Sequence, residues 1–444
     1  MHFMVSLRRF GSLWRSPRLW RRRIAFWIGA VLVGLAAAGF ASISDWALHG
    51  FFMLREASLP LASVATVVGF AICGYLTKQY FPGARGSGIP QAIAARRRPH
   101  GVERESLIGA KVTIGKILLT LIGLAVGAAI GREGPTVQVG ASIMFILARF
   151  ARLPQRSGVV LAGAAAGIAG AFNTPLAGIV FAIEELAKSY DKRVNLLVIA
   201  AVAIAGITSI VLVGNYHYFG TIHEAFELHW LWTVVPLCAV VGGVFGGFFS
   251  AAVVHVAFDR SAIVRNVRKY PVVFAALCGL GVAVLGILTD GFANGTSYQA
   301  THSALESGIG TPWWYGLAKL ASTFFSSVSG IPGGLFSPSL SVGAALGGLV
   351  TWIIPSVPPS LIFVLMMAAY FSAVVQAPLT AFVIVTEMTA DTTVAVPLLL
   401  VTLISAAISR VLCPVPLYHA LSHGFDITSL SPKSSTQQRS EKAS

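Results

Sequence analysis

The pattern G-x-x-x-P-x-x-x-V-G occurs twice in this chain. It is first Gly131-Arg132-Glu133-Gly134-Pro135, running on to Val139-Gly140, and then Gly334-Leu335-Phe336-Ser337-Pro338, running on to Val342-Gly343. The copies lie 203 residues apart (131 to 334). A second pair keeps that spacing: Pro175-Leu176 returns as Pro378-Leu379, and Glu184 returns as Glu387. One offset in two separate places marks a duplicated unit. Glycine frees the backbone for close approach, and proline suits a first helical turn, so each cluster reads as a helix start. Both starts lie in apolar sequence, and interrupted helices at matching places in two halves of a membrane chain point to a transport site. Helix N-termini concentrate positive dipole charge and free N–H groups, so the favoured cargo is an anion.

Of the 444 residues, 55% are hydrophobic and 11% charged, with a mean hydropathy of +0.77. Soluble domains carry about 25% charged residues. Apolar runs at 24–43, 107–130, 196–213 and 394–408 approach the roughly 20 residues that cross a bilayer, the last being short. A soluble protein with buried helices is disfavoured, because too few polar residues remain to coat its surface. The expected fold class is an all-α polytopic membrane protein. The net charge of +15 would suggest nucleic acid in a soluble chain. Here the charges gather in short connections, which the positive-inside rule explains without a nucleic-acid partner.

That rule orients the chain. Residues 1–23 hold Arg8, Arg9, Arg15, Arg18, Arg21, Arg22 and Arg23 and no acid. The 78–106 connection holds Lys78, Arg85, Arg96, Arg97, Arg98 and Arg104, and the 259–269 connection holds Arg260, Arg265, Arg268 and Lys269. These are placed in the cytoplasm. The 215–230 connection, with Glu224 and Glu227 and no Lys or Arg, is placed outside. The side of Arg149, Arg152 and Arg156 stays open. The basic head and apolar run of residues 1–43 resemble a signal peptide, with Ala36–Ala38 like a cleavage site. Because apolar segments continue throughout, the run is read as a retained first span.

The expected organisation is a basic cytoplasmic segment (1–23), a first membrane repeat (24–214), an extracytoplasmic connection (215–230), a second repeat (231–421) and a disordered cytoplasmic tail (422–444). A weaker echo pairs Gly83, Gln91 and Ala92 with Gly291, Gln299 and Ala300. Hydropathy alone does not settle whether the repeats are inverted. Cys73, Cys238, Cys278 and Cys413 sit apart in apolar surroundings and are expected to be packing residues.

Three segments carry the chemistry. In Gly86-Ser87-Gly88-Ile89-Pro90 the serine adds a hydroxyl at a helix start; alone it would read as an N-cap. Glu133 stands between apolar stretches, where an ionisable residue is costly and is a functional candidate. It competes with an anion for the same helix start, so protonation would release it as a gate. Around Gly334 and Pro338 no charge occurs. An anion there would be held by the backbone N–H groups of Leu335 and Phe336, loosely enough to leave again.

These three segments, in this order, resemble the signature motifs of the CLC chloride channel and transporter family. The similarity extends through Ala171-Phe172-Asn173-Thr174-Pro175-Leu176-Ala177-Gly178, Gln376-Ala377-Pro378-Leu379-Thr380 and Pro416-Leu417-Tyr418. The resemblance implies a CLC-like inverted repeat of about 18 short, tilted helices and a homodimer with one pathway per subunit. Ser87 and Tyr418 resemble the side chains that coordinate chloride, and Leu335 and Phe336 the backbone donors. Glu133 matches the external gating glutamate, and Glu185 the internal proton-transfer glutamate of the exchangers. Arg132 and Lys116 resemble basic residues that set the local potential. Gly86, Gly88, Pro90, Gly134, Pro135, Gly334 and Pro338 belong to the motifs. Ser337 stands where alanine is common and is expected to change little. Ser87, where nitrate-preferring relatives tend to carry proline, favours chloride.

The resemblance implies a chloride/proton antiporter in a bilayer, with bound chloride, no cofactor, no metal and both termini cytoplasmic. The lack of a long extramembrane domain fits a bacterial inner membrane. The alternative is a passive chloride channel, since channels of the family usually lack the inner acid. An enzyme is disfavoured: no H-E-x-x-H pair, Cys/His cluster, nucleophile elbow or P-loop occurs. Cation transport through Glu133, Glu184 and Glu387 would leave the converging helix starts unexplained.

Overall fold

The structure, a computed structural model, describes residues 17–98, 101–152, 157–187, 192–214, 228–259, 269–307, 311–389 and 393–427. The head before residue 17, the acidic 215–227 stretch, Arg156, Lys188, Arg260, Arg265, Arg268 and the tail from 428 lie outside the described residues. Among those described, regular structure is helical, with two isolated backbone bridges in place of strands.

The first half contains α1 (Pro17–Ala57), α2 (Leu59–Gln79), α3 (Ile89–Arg97), α4 (Gly101–Ile108), α5 (Ala110–Ala125), α6 (Glu133–Phe150), α7 (Ser157–Phe172), α8 (Pro175–Phe181) and α9 (Lys192–Val213). A π-helical turn, Ala182–Ala187, continues α8. The second half contains α10 (Val234–Phe258), α11 (Pro271–Leu288), α12 (Tyr298–Ser307), α13 (Tyr315–Val328), α14 (Phe336–Ile353), α15 (Pro359–Val375), α16 (Pro378–Thr389), α17 (Ala395–Leu412) and α18 (Leu417–Ile427). Eight of the described helices are long and apolar enough to cross a membrane.

The helices are inside-out relative to a soluble protein. Leu61, Val64, Val68 and Ile72 on α2, and Val273, Leu277, Leu280 and Val284 on α11, form exposed apolar stripes at helical spacing. The inward faces carry small and hydroxyl residues: Thr66, Gly69 and Cys73 on α2 are buried, as are Ala275, Cys278 and Gly279 on α11. Apolar tails tolerate the outer stripes, while small inner residues let helices approach closely. α1 runs well past the 24–43 stretch to Ala57. Two of its polar residues are partnered: Ser42 donates to the Ala38 carbonyl, and Asp45 pairs with Arg132 of the loop before α6 at 2.6 Å.

The two halves repeat in packing as well as in sequence. A Cβ at Gly163 on α7 would lie 2.4 Å from the Gly140 carbonyl of α6, and one at Gly343 on α14 would lie 2.5 Å from the Met366 carbonyl of α15. Both helix pairs therefore touch backbone to backbone at equivalent places. The halves also clasp each other reciprocally. Gly131 N–H donates to Gly334 O (2.8 Å), and Gly334 N–H donates to Gly131 O (2.7 Å). Glu184 accepts from the N–H groups of Leu379 (3.2 Å) and Thr380 (2.7 Å) at the start of α16. Glu387, on α16, accepts from Leu176 (3.1 Å) and Ala177 (2.7 Å) at the start of α8. Each half thus supplies the carboxylate that caps the other's broken helix, where free N–H groups and the helix dipole favour a negative charge.

Candidate functional site

The starts of α3, α6 and α14 meet at the junction of the halves. Gly86 N–H donates to Ile331 O (3.2 Å), and Gly333 N–H donates to Gly86 O (3.1 Å), which stitches the Ser87 loop to the loop before α14. Gly86 and Gly88 have φ of 68° and 104°, a region that suits glycine. At Gly88, Gly134 and Gly334 there is no room for a side chain. A Cβ at Gly88 would come 2.7 Å from Gly134 O, one at Gly134 2.5 Å from Ser87 Oγ, and one at Gly334 2.8 Å from Gly134 N. Pro90, Pro135 and Pro338 occupy the first turns of α3, α6 and α14, where a missing N–H costs nothing.

Leu335 is the N-cap of α14 and Phe336 its first helical residue, so their N–H groups lie at the helix end that lacks intrahelical acceptors. The Phe336 ring is fixed among Phe172, Phe181, Phe371 and Tyr418, with centroids at 5.8, 5.5, 4.9 and 5.9 Å. Tyr418, from α18, is fully buried, and Ser87 is 6% exposed. Their hydroxyls are near enough to interact, yet neither makes a protein hydrogen bond of ordinary geometry. A buried hydroxyl left so costs about 1–3 kcal/mol. Two such donors beside a helix start can be satisfied by one shared anion.

Glu133 is fully buried in the first turn of α6, and its Oε1 accepts a hydrogen bond from Ser337 Oγ in the first turn of α14. The carboxylate of one half is thus seated on the helix start of the other, standing where an anion would stand. Ser337 was expected to change little; it instead touches Glu133 directly. The sequence shows both residues but not that their helix starts face one another.

The basic residues hold backbone. Lys116 Nζ donates to Ala84 O (2.7 Å) and to Gly86 O, anchoring the Ser87 loop from within α5. Arg132 reaches the Ala41 carbonyl and Asp45 of α1. Lys319, which sequence reasoning passed over, is fully buried on α13 and donates to Gly295 O (2.6 Å) and Ala293 O (3.3 Å). It lies 203 residues from Lys116, so the repeat spacing could have found it. Gln138 was also passed over, and Gln91 was noted only as part of a repeat echo. Both donate to Gly83 O, at 3.1 and 3.0 Å, and Gln91 accepts from Gly88 N–H.

The two adjacent acids part company in the π turn. Glu184 turns to α16, whereas Glu185 is 1% exposed and meets the ring of His419. Tyr418 lies within electrostatic reach of both Glu133 and Glu185. Among the described residues no group of three or more His, Cys, Asp or Glu could hold a metal. Glu184 and Glu387, weighed as cation ligands, serve instead as helix caps.

Matched halves, membrane-length apolar helices and broken helices meeting at the centre define a multi-pass, all-α membrane protein built on an inverted repeat. The chain belongs to the CLC family: the model described as "Voltage gated chloride channel" matches residues 69–410. It is 31% identical over 424 residues to the "H(+)/Cl(-) exchange transporter ClcA" of Yersinia pseudotuberculosis serotype IB, covering 88% of this chain and 85% of that protein. It is 30% identical over 386 residues to the protein of the same name from Vibrio campbellii, covering 82% and 80%. Its fold is similar to the crystal structure of a slow cyanobacterial Cl-/H+ antiporter (TM-score 0.77, 23% identity, 93% of this chain and 99% of that one). It is also similar to a CLC-type fluoride/proton antiporter (TM-score 0.73, 23% identity, 89% and 96%).

Proposed function

We infer that this chain exchanges chloride for protons across a membrane. Chloride passes Ser87, Tyr418 and the N–H groups of Leu335 and Phe336. Protons meet that route at Glu133 and leave it toward Glu185. The observation that carries the reading is the pair of buried hydroxyls, Ser87 Oγ and Tyr418 Oη, lacking ordinary protein partners beside the start of α14. An anion satisfies both, and dipolar donors hold it without the tight grip of a formal cation. The relatives' name, H(+)/Cl(-) exchange transporter, supports the proton half, as does the buried acid Glu185 in a chain that has the gating acid too. Glu133 works as a gate because its carboxylate and chloride compete for one helix end, and protonation weakens only the carboxylate's claim.

The reading includes a lipid bilayer, a homodimer, no cofactor beyond bound chloride, no enzymatic activity and no nucleic acid. It places the protein in a bacterial inner membrane with both termini cytoplasmic. A passive chloride channel is the second reading, and Glu185 separates the two. Purified protein in chloride-loaded liposomes should drive protons uphill as chloride runs down its gradient. Glu133→Ala should leave chloride movement uncoupled from protons, and Glu185→Gln should stop protons but spare chloride. Chloride flux with no proton movement in the unmodified protein would establish the channel instead.

A further inference from the structure

His419 follows Tyr418 on α18 and is 8% exposed. Its ring is wedged between the inner acid and an exposed arginine of the basic 78–106 connection. Nε2 lies 2.9 Å from the backbone oxygen of Glu185 and 3.6 Å from Glu185 Oε1. Nδ1 lies 2.9 Å from Arg97 Nη2. An arginine only donates, so Nδ1 is the acceptor, and the ring proton sits on Nε2, donated to Glu185 O. The tautomer follows from the partners: the acidic N–H faces Glu185 and the basic nitrogen faces the arginine side.

The other charged groups around the ring are committed elsewhere. Arg96 donates to Leu186 O (2.7 Å) and Ala187 O (3.0 Å), which ties down the end of the π turn. Arg98 donates to Phe425 O (2.7 Å), and Arg85 lies over the Phe425 ring. Glu184 is turned to α16, and Tyr418 faces the helix junction. Arg97 meets the His419 ring on one edge and Glu185 on the other. Arg97 also donates to Ser422 Oγ (3.1 Å), one turn on from His419, so it can leave the ring while keeping a foothold.

We propose that His419 is a proton-relay residue between the cytoplasm and Glu185. When Arg97 swings off, Nδ1 takes a proton from water, giving the imidazolium. The Nε2 proton then passes to Glu185 Oε1, the carboxylate becomes a carboxylic acid, and the ring is left neutral with its proton on Nδ1. Proton exchange with water, Nε2 taking one proton and Nδ1 releasing one, restores the starting tautomer. Imidazole suits the task because its two nitrogens separate uptake from delivery and because it changes charge near neutral pH.

The proposal rests on the antiport reading, and the test separates them. Proton and chloride fluxes are measured together in liposomes for the unmodified protein, His419→Gln and His419→Ala. Glutamine can keep the bond to Glu185 O and accept from Arg97, but it cannot relay a proton. His419→Gln should retain chloride flux while its proton flux falls by about tenfold or more. Imidazole added on the cytoplasmic side should restore proton flux to His419→Ala, which a purely structural role would not predict. Proton coupling at the unmodified ratio in His419→Gln, or failure of imidazole to restore protons to an otherwise chloride-conducting His419→Ala, overturns the relay alone. An unmodified protein that moves no protons overturns the antiport reading and the relay together.

Discussion

Replacing Ser337 with alanine removes the hydroxyl that donates to Glu133 Oε1 and leaves the helix starts in place. A hydrogen bond to a charged group is worth about 1.5–3 kcal/mol, which is about ten- to 150-fold in the ratio of seated to released carboxylate. On the proposed reading, the seated carboxylate and chloride contend for the first turn of α14. Chloride therefore binds with an apparent affinity reduced by the fraction of protein whose gate is released. In Ser337→Ala that fraction rises, so the apparent chloride affinity, measured by titration calorimetry at neutral pH, should tighten by up to the same factor. The decisive control is the same substitution in a Glu133→Ala background, where it should change nothing beyond the scatter expected of independent sites, about 0.3–0.5 kcal/mol. An equal shift in both backgrounds would mean that Ser337 acts on chloride directly, and no shift in either would mean that the hydrogen bond does not hold the gate. Each result refutes the reasoning.

Other substitutions probe the scaffold. Gly134→Ala places a Cβ 2.5 Å from Ser87 Oγ, and should weaken chloride binding by about five- to 150-fold through an overpacking cost of about 1–3 kcal/mol at the junction; calorimetry on protein checked to be folded measures it. Glu184→Gln and Glu387→Gln each weaken a cap on the opposite half and should lower stability by about 0.5–2 kcal/mol, to similar extents, read as melting shifts in detergent. Lys319→Met leaves the Gly295 and Ala293 carbonyls without their ammonium donor and should destabilise by about 1–3 kcal/mol for each carbonyl so orphaned. Its chloride selectivity should match the unmodified protein in competition with bromide, because Lys319 Nζ is spent on that loop.

The helix starts were legible because their causes are local. Glycine permits the turn, proline suits the first turn, and a 203-residue echo ties Gly131 to Gly334 in the sequence itself. The membrane class was legible for the same reason, since a composition that cannot coat a soluble surface needs no tertiary knowledge to recognise. What lay hidden depends on docking. Nothing local says that Glu184 will turn to α16 while its neighbour Glu185 is buried, because the π turn that separates them is set by packing. Ser337 looked inert because its partner lies in the other half. Nothing local says that His419 will meet Glu185 in the π turn, because only tertiary packing brings α18 there. Lys319 could have been found by applying the 203-residue offset to Lys116.

The exchanged N–H···O pair between Gly131 and Gly334 has the geometry of an isologous contact, in which each partner offers the same patch to the other. A half-length polypeptide could therefore join a second copy of itself through the same glycines, and the swapped glutamates would cap such a pair equally well. Tandem fusion of two such halves relaxes the requirement for identity. The counterpart of Glu133 is Phe336, 203 residues on. The matching positions thus hold a buried acid in one half and an aromatic anchor in the other, a division of labour closed to any assembly of identical chains.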